Sequence, residues 1–249
     1  MAKRRRGQRK RLSVLWVVLI GAVVVALSWA GATGRLPMPT WAPSLLSGAA
    51  DVPADDRVAP AYTGDIVTDG GSPTFSDDMY AGAVEGFEVY GELDPLGRVT
   101  GCSATISDAT LEAGDEERGD IGFIKPTGWV QGDYDFVDGG KLYNRCHLIA
   151  HSLTGQDANE RNLLTGTRSM NLAMIPYENA VADYVEDTDD ECLYRVVPVF
   201  DGDDLVCQGV WIEAASVADQ GKSLSFRVFV HNVEPGVSID YATGENHAA

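Results

Sequence analysis

Two histidines four residues apart, His147 and His151, stand in LYNRCHLIAHSLTGQ, Leu142 to Gln156, with Arg145 and Cys146 just before the first. Four chemistries are open to such a cluster. A zinc pair would use both imidazoles on one helix face at i and i+4. The zinc-protease pattern then wants a glutamate after His147, where Leu148 stands, and a third ligand, while His231 and His247 lie far along the chain. A thiolate nucleophile needs Cys146 to meet an imidazole, but adjacent side chains of an extended segment point to opposite faces. Buried filler is the plainer role for that thiol. A general base beside a guanidinium needs Arg145 and His147 on one face, which extended geometry supplies at a spacing of two. A neutral imidazole takes a proton from water near pH 7, an arginine suits phosphate oxygens and growing negative charge, and the combination fits phosphodiester hydrolysis. The fourth role is a buried, hydrogen-bonded histidine, which is the expectation for His151.

Downstream, NERNLLTGTRSMNLAMIPYEN offers an oxygen donor in Asn171 and a carboxylate in Glu178. Mg²⁺ accepts such hard ligands and keeps most of its waters. Seven residues are about two helical turns, so a helix reaching back to Asn171 would turn both side chains the same way. Glu178 would then hold water of the hydrated ion from outside its first shell. The plainer role for Asn171 is a helix cap.

These residues need elements to position them. FEVYGELD and RVTGCSATIS read as strands joined by a turn at Asp94-Pro95-Leu96-Gly97. ERNLLTGTRSMN reads as a strand or loop. PYENAVADYVEDTDD reads as a helix starting at Pro176, with Val181, Tyr184 and Val185 on one face. CLYRVVPVF, LVCQGVWIEAASV and LSFRVFVHNVEP are β-rich runs separated by Gly/Asp turns, the pattern of a meander. The expected class is α+β, antiparallel strands with few helices.

The net charge of −18 conceals an asymmetry. MAKRRRGQRKR carries seven positive charges, leaving twelve basic residues against 37 acidic ones afterwards, a net of −25. A body so acidic argues against non-specific attraction to polyanions, yet five of those twelve, Arg98, Lys141, Arg145, Arg161 and Arg168, stand in or near the segments above. A local basic groove on an acidic body is the expectation that follows. After the basic residues 1–11, Leu12 to Ala32 is uncharged and apolar, long enough for a bilayer, with its basic flank held in the cytoplasm. It reads as a single-pass anchor, or as a signal peptide cleaved near Ala32. Residues 33–80, rich in Pro, Ala, Gly, Ser and Asp, read as a flexible linker, and residues 81–249 as the extracellular working domain. Disulfides are permitted outside the cell. Cys192 and Cys207, flanking a candidate hairpin, are the favoured pair among four cysteines, against the alternative of free buried thiols.

YNRCHLIAHSLTG, NERNLLTGTRSMN and PYENAVADYV together resemble the DNA/RNA non-specific endonuclease family, especially the secreted and surface-anchored DNases of Gram-positive bacteria. The similarity takes in LDPLGRVTGCSATI, KPTGW and VEPGVSIDYATGE, and so covers residues 85–245. The resemblance implies a ββα-metal nuclease fold, a central antiparallel sheet with few helices, and one divalent ion, Mg²⁺ with Mn²⁺ as a substitute. It implies His147 as general base, Asn171 as the protein metal ligand and Glu178 as the acid orienting water. Arg98 and Arg145 become phosphate-contacting arginines, and Asn162 a further active-site asparagine. The family motif Asp-Arg-Gly-His here reads Asn144-Arg145-Cys146-His147. Losing the acid removes a charge that would favour the imidazolium, and cysteine for glycine says that this position does not need a positive φ. The substrate implied is DNA, with RNA as a second possibility, and the membrane is met only through the N-terminal segment. No protein partner is indicated. The competing expectation is a catalytically inactive exported binding or adhesion domain on the same fold.

Overall fold

The computed structural model describes residues 58–114 and 117–249. Its strands are β1 (Val67–Asp69), β2 (Glu88–Tyr90), β3 (Cys102–Ile106), β4 (Tyr143–His147), β5 (Leu163–Thr167), β6 (Cys192–Val199), β7 (Gly209–Ser216), β8 (Ser225–His231), β9 (Val237–Ile239) and β10 (Asn246–Ala248). Its helices are α1 (Asp77–Ala81), α2 (Asp108–Gly114), α3 (His151–Thr154) and α4 (Arg168–Thr188). The three β-rich runs form the expected meander, β6, β7 and β8, within a six-stranded sheet ordered β1-β8-β7-β6-β3-β2. Every pairing in it is antiparallel.

Both faces of this sheet are covered, and the alternation of side chains shows how. Cys192, Tyr194 and Val196 of β6, Val210, Ile212 and Ala214 of β7, and Val228 and Val230 of β8 pack in one core with Met170, Met174, Val181 and Val185 of α4. Burying each valine, isoleucine or methionine among them contributes about 1.5–3 kcal/mol. The intervening residues Val197, Val199, Trp211 and Phe229 form a second cluster. Arg195 and Glu213, opposite one another on β6 and β7, are almost fully buried and joined as an ion pair, with Thr74 hydrogen-bonded to both. A buried charge pair needs such additional partners to offset its desolvation.

The helix bearing Asn171 begins eight residues before Pro176. Thr167 caps it, its hydroxyl accepting from the Met170 N–H at 3.0 Å, and Pro176 lies in the interior. A mid-helix proline leaves the carbonyl four residues back without its N–H. Here that residue is Leu172, which is exposed like Pro176 itself, so water can serve the carbonyl. Proline therefore marked the helix but not its start.

Two further expectations need correction. Part of the segment 33–80, read as a flexible linker, is structured: β1 pairs with β8 at Val67↔Val230 and α1 is capped by Ser76, while residues 33–57 lie outside the described residues. A three-residue edge strand leaves no sustained period to read. Cys192 and Cys207 are not bonded: all four cysteines are free and buried. Cys192 pairs with Ser216 at one end of the hairpin while Cys207 precedes Gly209 at the other. Seven strand residues, ~23 Å, separate the ends, and a disulfide tolerates only about 7 Å between Cα atoms. Among the described residues no helix is long and apolar enough to cross a membrane; the candidate anchor at 12–32 lies outside them.

Candidate active site

Apart from the large sheet, β4 and β5 form a two-stranded ribbon, Tyr143↔Thr167 to His147↔Leu163, and α4 follows β5 directly. This ββα unit walls a cleft of about 510 Å³. From β4, Asn144, Arg145 and His147 line it; from α4, Arg168, Asn171, Ile175 and Glu178 do. The α4 spacing is one helical face, and the adjoining face carries the buried Met170 and Met174. Cys146 turns away into the core, 2% exposed, its Sγ 3.5 Å from Met174 Sδ, and burial pushes its thiol up. Gly166 makes room for it, since a Cβ there would stand 2.8 Å from Cys146 Cβ.

His147 is half-buried, with Nε2 3.1 Å from the carbonyl of Asp157. A carbonyl only accepts, so this contact assigns the proton of neutral His147 to Nε2 and leaves Nδ1 as a free acceptor. Burial lowers its pKa, Arg118 lowers it further, and the Asp157 carbonyl works the other way. The imidazole is thus neutral near pH 7, the state a base requires. Among the described residues the Glu178 carboxylate has no hydrogen-bond partner, and burial raises it to about 7 against an opposing pull from Arg118. His151 is buried, with Nε2 3.3 Å from Asp157 Oδ1.

The turn that projects Asn171 is held from outside the ribbon. Thr167 N–H donates to Asn232 Oδ1 at 2.8 Å and its hydroxyl to the Val233 carbonyl at 2.7 Å. The Glu234 carboxylate accepts from the N–H and hydroxyl of Ser169, placing negative charge at the positive helix end. Thr167 is the cap, so the Asn171 side chain is left to the cleft.

The expected site residues divide. His147, Arg145, Asn171 and Glu178 share the cleft. Arg145 donates to the Ile124 and Gly122 carbonyls at 2.5 and 2.6 Å and stacks on Trp129 at 4.4 Å, so its charge faces the cleft on a braced support. Arg98 does not line it: its Nε donates to Asp94 at 2.6 Å, its Nη1 to the Gly202 and Asp204 carbonyls, and it lies over Phe200. These partners make it a clamp between loops. Asn162 is fully buried, its carboxamide bonded to both the N–H and carbonyl of Ile149 at 2.9 Å. It holds the chain leaving His147 and meets no solvent. Of the five basic residues singled out, Lys141, Arg145 and Arg168 line the cleft; Arg161 instead pairs with Glu92 at 3.0 Å.

Sequence reasoning passed over Arg118, an exposed cleft residue within electrostatic reach of both His147 and Glu178. It stands in an acidic loop with no periodicity, 27 residues before Arg145, and only folding brings the two together. With it, the lining holds four cationic side chains against one carboxylate.

A ββα unit presenting a neutral imidazole, arginines and a hard oxygen donor to one polar cleft is the layout of a nuclease. The chain belongs to the DNA/RNA non-specific endonuclease family, whose profile matches residues 78–218, and by that membership it is a nuclease, a hydrolase acting on nucleic acid. Among solved structures it is similar to magnesium-bound NucA from Streptococcus agalactiae, at 27% identity and a TM-score of 0.57, covering 66% of this chain and 78% of that one. It shares its fold with zinc-bound Sda1 nuclease at 24% identity and a TM-score of 0.58, covering 66% and 82% of the two chains. An extracellular endonuclease also shares the fold, at 18% identity and a TM-score of 0.51, covering 76% of this chain and 100% of the other. No curated protein matches the sequence.

Proposed function

We propose that this chain is a divalent-metal-dependent endonuclease that cuts DNA, and RNA as a second substrate, outside the cell, with His147 as general base. The observation that carries the reading is that His147 and Asn171, 24 residues apart in sequence, line one cleft with Glu178, Arg118 and Arg145. His147 Nδ1 takes a proton from the water that attacks phosphorus, and the Asp157 carbonyl holds the ring in the tautomer that frees that atom. Arg118 and Arg145 offset charge gathering on the phosphate oxygens.

The donor set fits a hard cation. Asn171 offers a neutral oxygen, and Glu178 is a half-buried carboxylate with no hydrogen-bond partner among the described residues, a state that a cation relieves. Among the described residues there is no cluster of three His, Cys, Asp or Glu of the kind a protein-caged metal needs, which favours an ion that keeps its waters. Asn171 would hold the ion and Glu178 its hydration shell. When bound, the metal supplies positive charge to the phosphate and leaving oxygens. Mg²⁺ is the ion proposed, with Mn²⁺ as a substitute; magnesium is also the ion bound in the similar NucA. The extracellular reading rests on the basic residues 1–11 and the uncharged run from Leu12 to Ala32, as anchor or cleaved signal.

Plasmid nicking tests the reading. Supercoiled DNA should become open-circular and linear with Mg²⁺ and stay intact with chelator. His147→Ala should lose roughly 10²–10⁴-fold in rate with its circular dichroism unchanged. Chelator-resistant cutting, or full activity in His147→Ala, would overturn it.

A further inference from the structure

Asp157 is where three parts of the cleft meet, and its three oxygens are divided among them. Its carbonyl accepts from His147 Nε2. Its carboxylate Oδ1 faces His151 Nε2 at 3.3 Å, and Oδ2 accepts from the Gly119 N–H at 2.5 Å. Gly119 follows Arg118 directly, and the contact is close enough that a Cβ on Gly119 would stand 3.1 Å from Oδ2. Among the described residues the loop carrying Arg118 has no regular structure, and the Arg118 side chain has no hydrogen bond or ion pair. The hydrogen bond from Gly119 restrains the backbone beside it. A hydrogen bond to an ionised acceptor is about twice as strong as a neutral one. His151, 2% exposed, braces the carboxylate through its other oxygen, which gives the second histidine of the pair a role.

We infer that Asp157 is a positioning residue for the nuclease reaction, its carboxylate tying the Arg118 loop to the segment that orients His147, so that guanidinium and imidazole face the same phosphate. This rests on the reading of the cleft given above. The aspartate touches neither substrate nor metal; it acts through Arg118.

A double-mutant cycle on the full chain tests this, with kcat and KM measured on a DNA duplex in Mg²⁺ and the denaturation midpoint measured beside them. Asp157→Ala should lower kcat by roughly 10–100-fold, the cost of misplacing a catalytic group by about 1 Å, with a smaller change in KM. Asp157→Asn, whose carboxamide oxygen can still accept from Gly119, should keep most of the activity. In an Arg118→Ala background, Asp157→Ala should cost no more than about twofold further, because there is no guanidinium left to position. Losses that multiply in the double variant would overturn the proposal, as would unchanged kcat in folded Asp157→Ala. If the alanine variant does not fold, Asp157→Ser, one carbon shorter, carries the same comparison. Arg118→Ala and His147→Ala are the controls: if His147→Ala retains full activity the reading of the site has failed, whereas intact control losses with an inert Asp157→Ala sink this inference alone.

Discussion

Glu178 offers the sharpest test of the site, because the fold holds its carboxyl at a free-energy cost that pH exposes. Burial raises it from 4.5 to about 7. At 1.36 kcal/mol per pH unit, that shift corresponds to ~3 kcal/mol. A carboxyl whose folded pKa is raised favours the protonated native state. Its effect is absent below the unfolded pKa; as pH climbs from about 4.5 to about 7 the unfolded state ionises first and stability is lost. Glu178→Gln keeps the shape and removes the ionisation. In urea denaturation with chelator present, the glutamine variant should be more stable than the parent at pH 8 by ~3 kcal/mol, equivalent to roughly 6–12 °C in Tm. At pH 5.5 the advantage should shrink by ~2 kcal/mol. Mg²⁺ should narrow the gap at pH 8 by stabilising the parent more than the variant, which keeps Asn171 but loses the outer-shell carboxylate. A gap independent of pH, or a variant less stable at pH 8, would refute the claim that a half-buried carboxylate awaits a cation here.

Three further outcomes follow from the same geometry. Asn171→Ala should raise the Mg²⁺ concentration for half-maximal nicking by roughly tenfold or more, no less than the loss of an outer-shell partner; an unchanged Mg²⁺ curve removes Asn171 from the metal. Arg98→Ala should lower stability in urea by about 2–3 kcal/mol through its bonds to Asp94, Gly202 and Asp204, yet leave kcat within about twofold; a large fall in kcat with the fold intact would return Arg98 to the phosphate. Asp138→Asn should free Arg168, which it holds at 2.7 Å, and lower KM for DNA by up to about fivefold, the worth of an exposed ion pair, with a steeper salt dependence; a raised KM would show that the ion pair orients Arg168 rather than competing for it.

The sequence by itself determined what depends on neighbours along the chain. Alternating β-branched and aromatic residues dictated the β6-β7-β8 meander, and a spacing of two in an extended segment put Arg145 and His147 on one wall. The seven-residue interval made Asn171 and Glu178 companions on condition that a helix ran through Pro176, and exposure of the Leu172 carbonyl's surroundings let it do so. The apolar character of Cys146 was legible for the same local reason. Tertiary structure alone decided which charges meet the cleft. Arg98 and Arg118 are equally basic in sequence, but one is spent on loop carbonyls and the other stands open beside His147. Asn162 carries the same carboxamide as Asn171, yet it is consumed by the backbone of Ile149. Whether a polar side chain is free for chemistry depends on whether folding brings it a partner, and the backbone groups that occupy Asn162 and Arg98 lie 13 to 106 residues away along the chain.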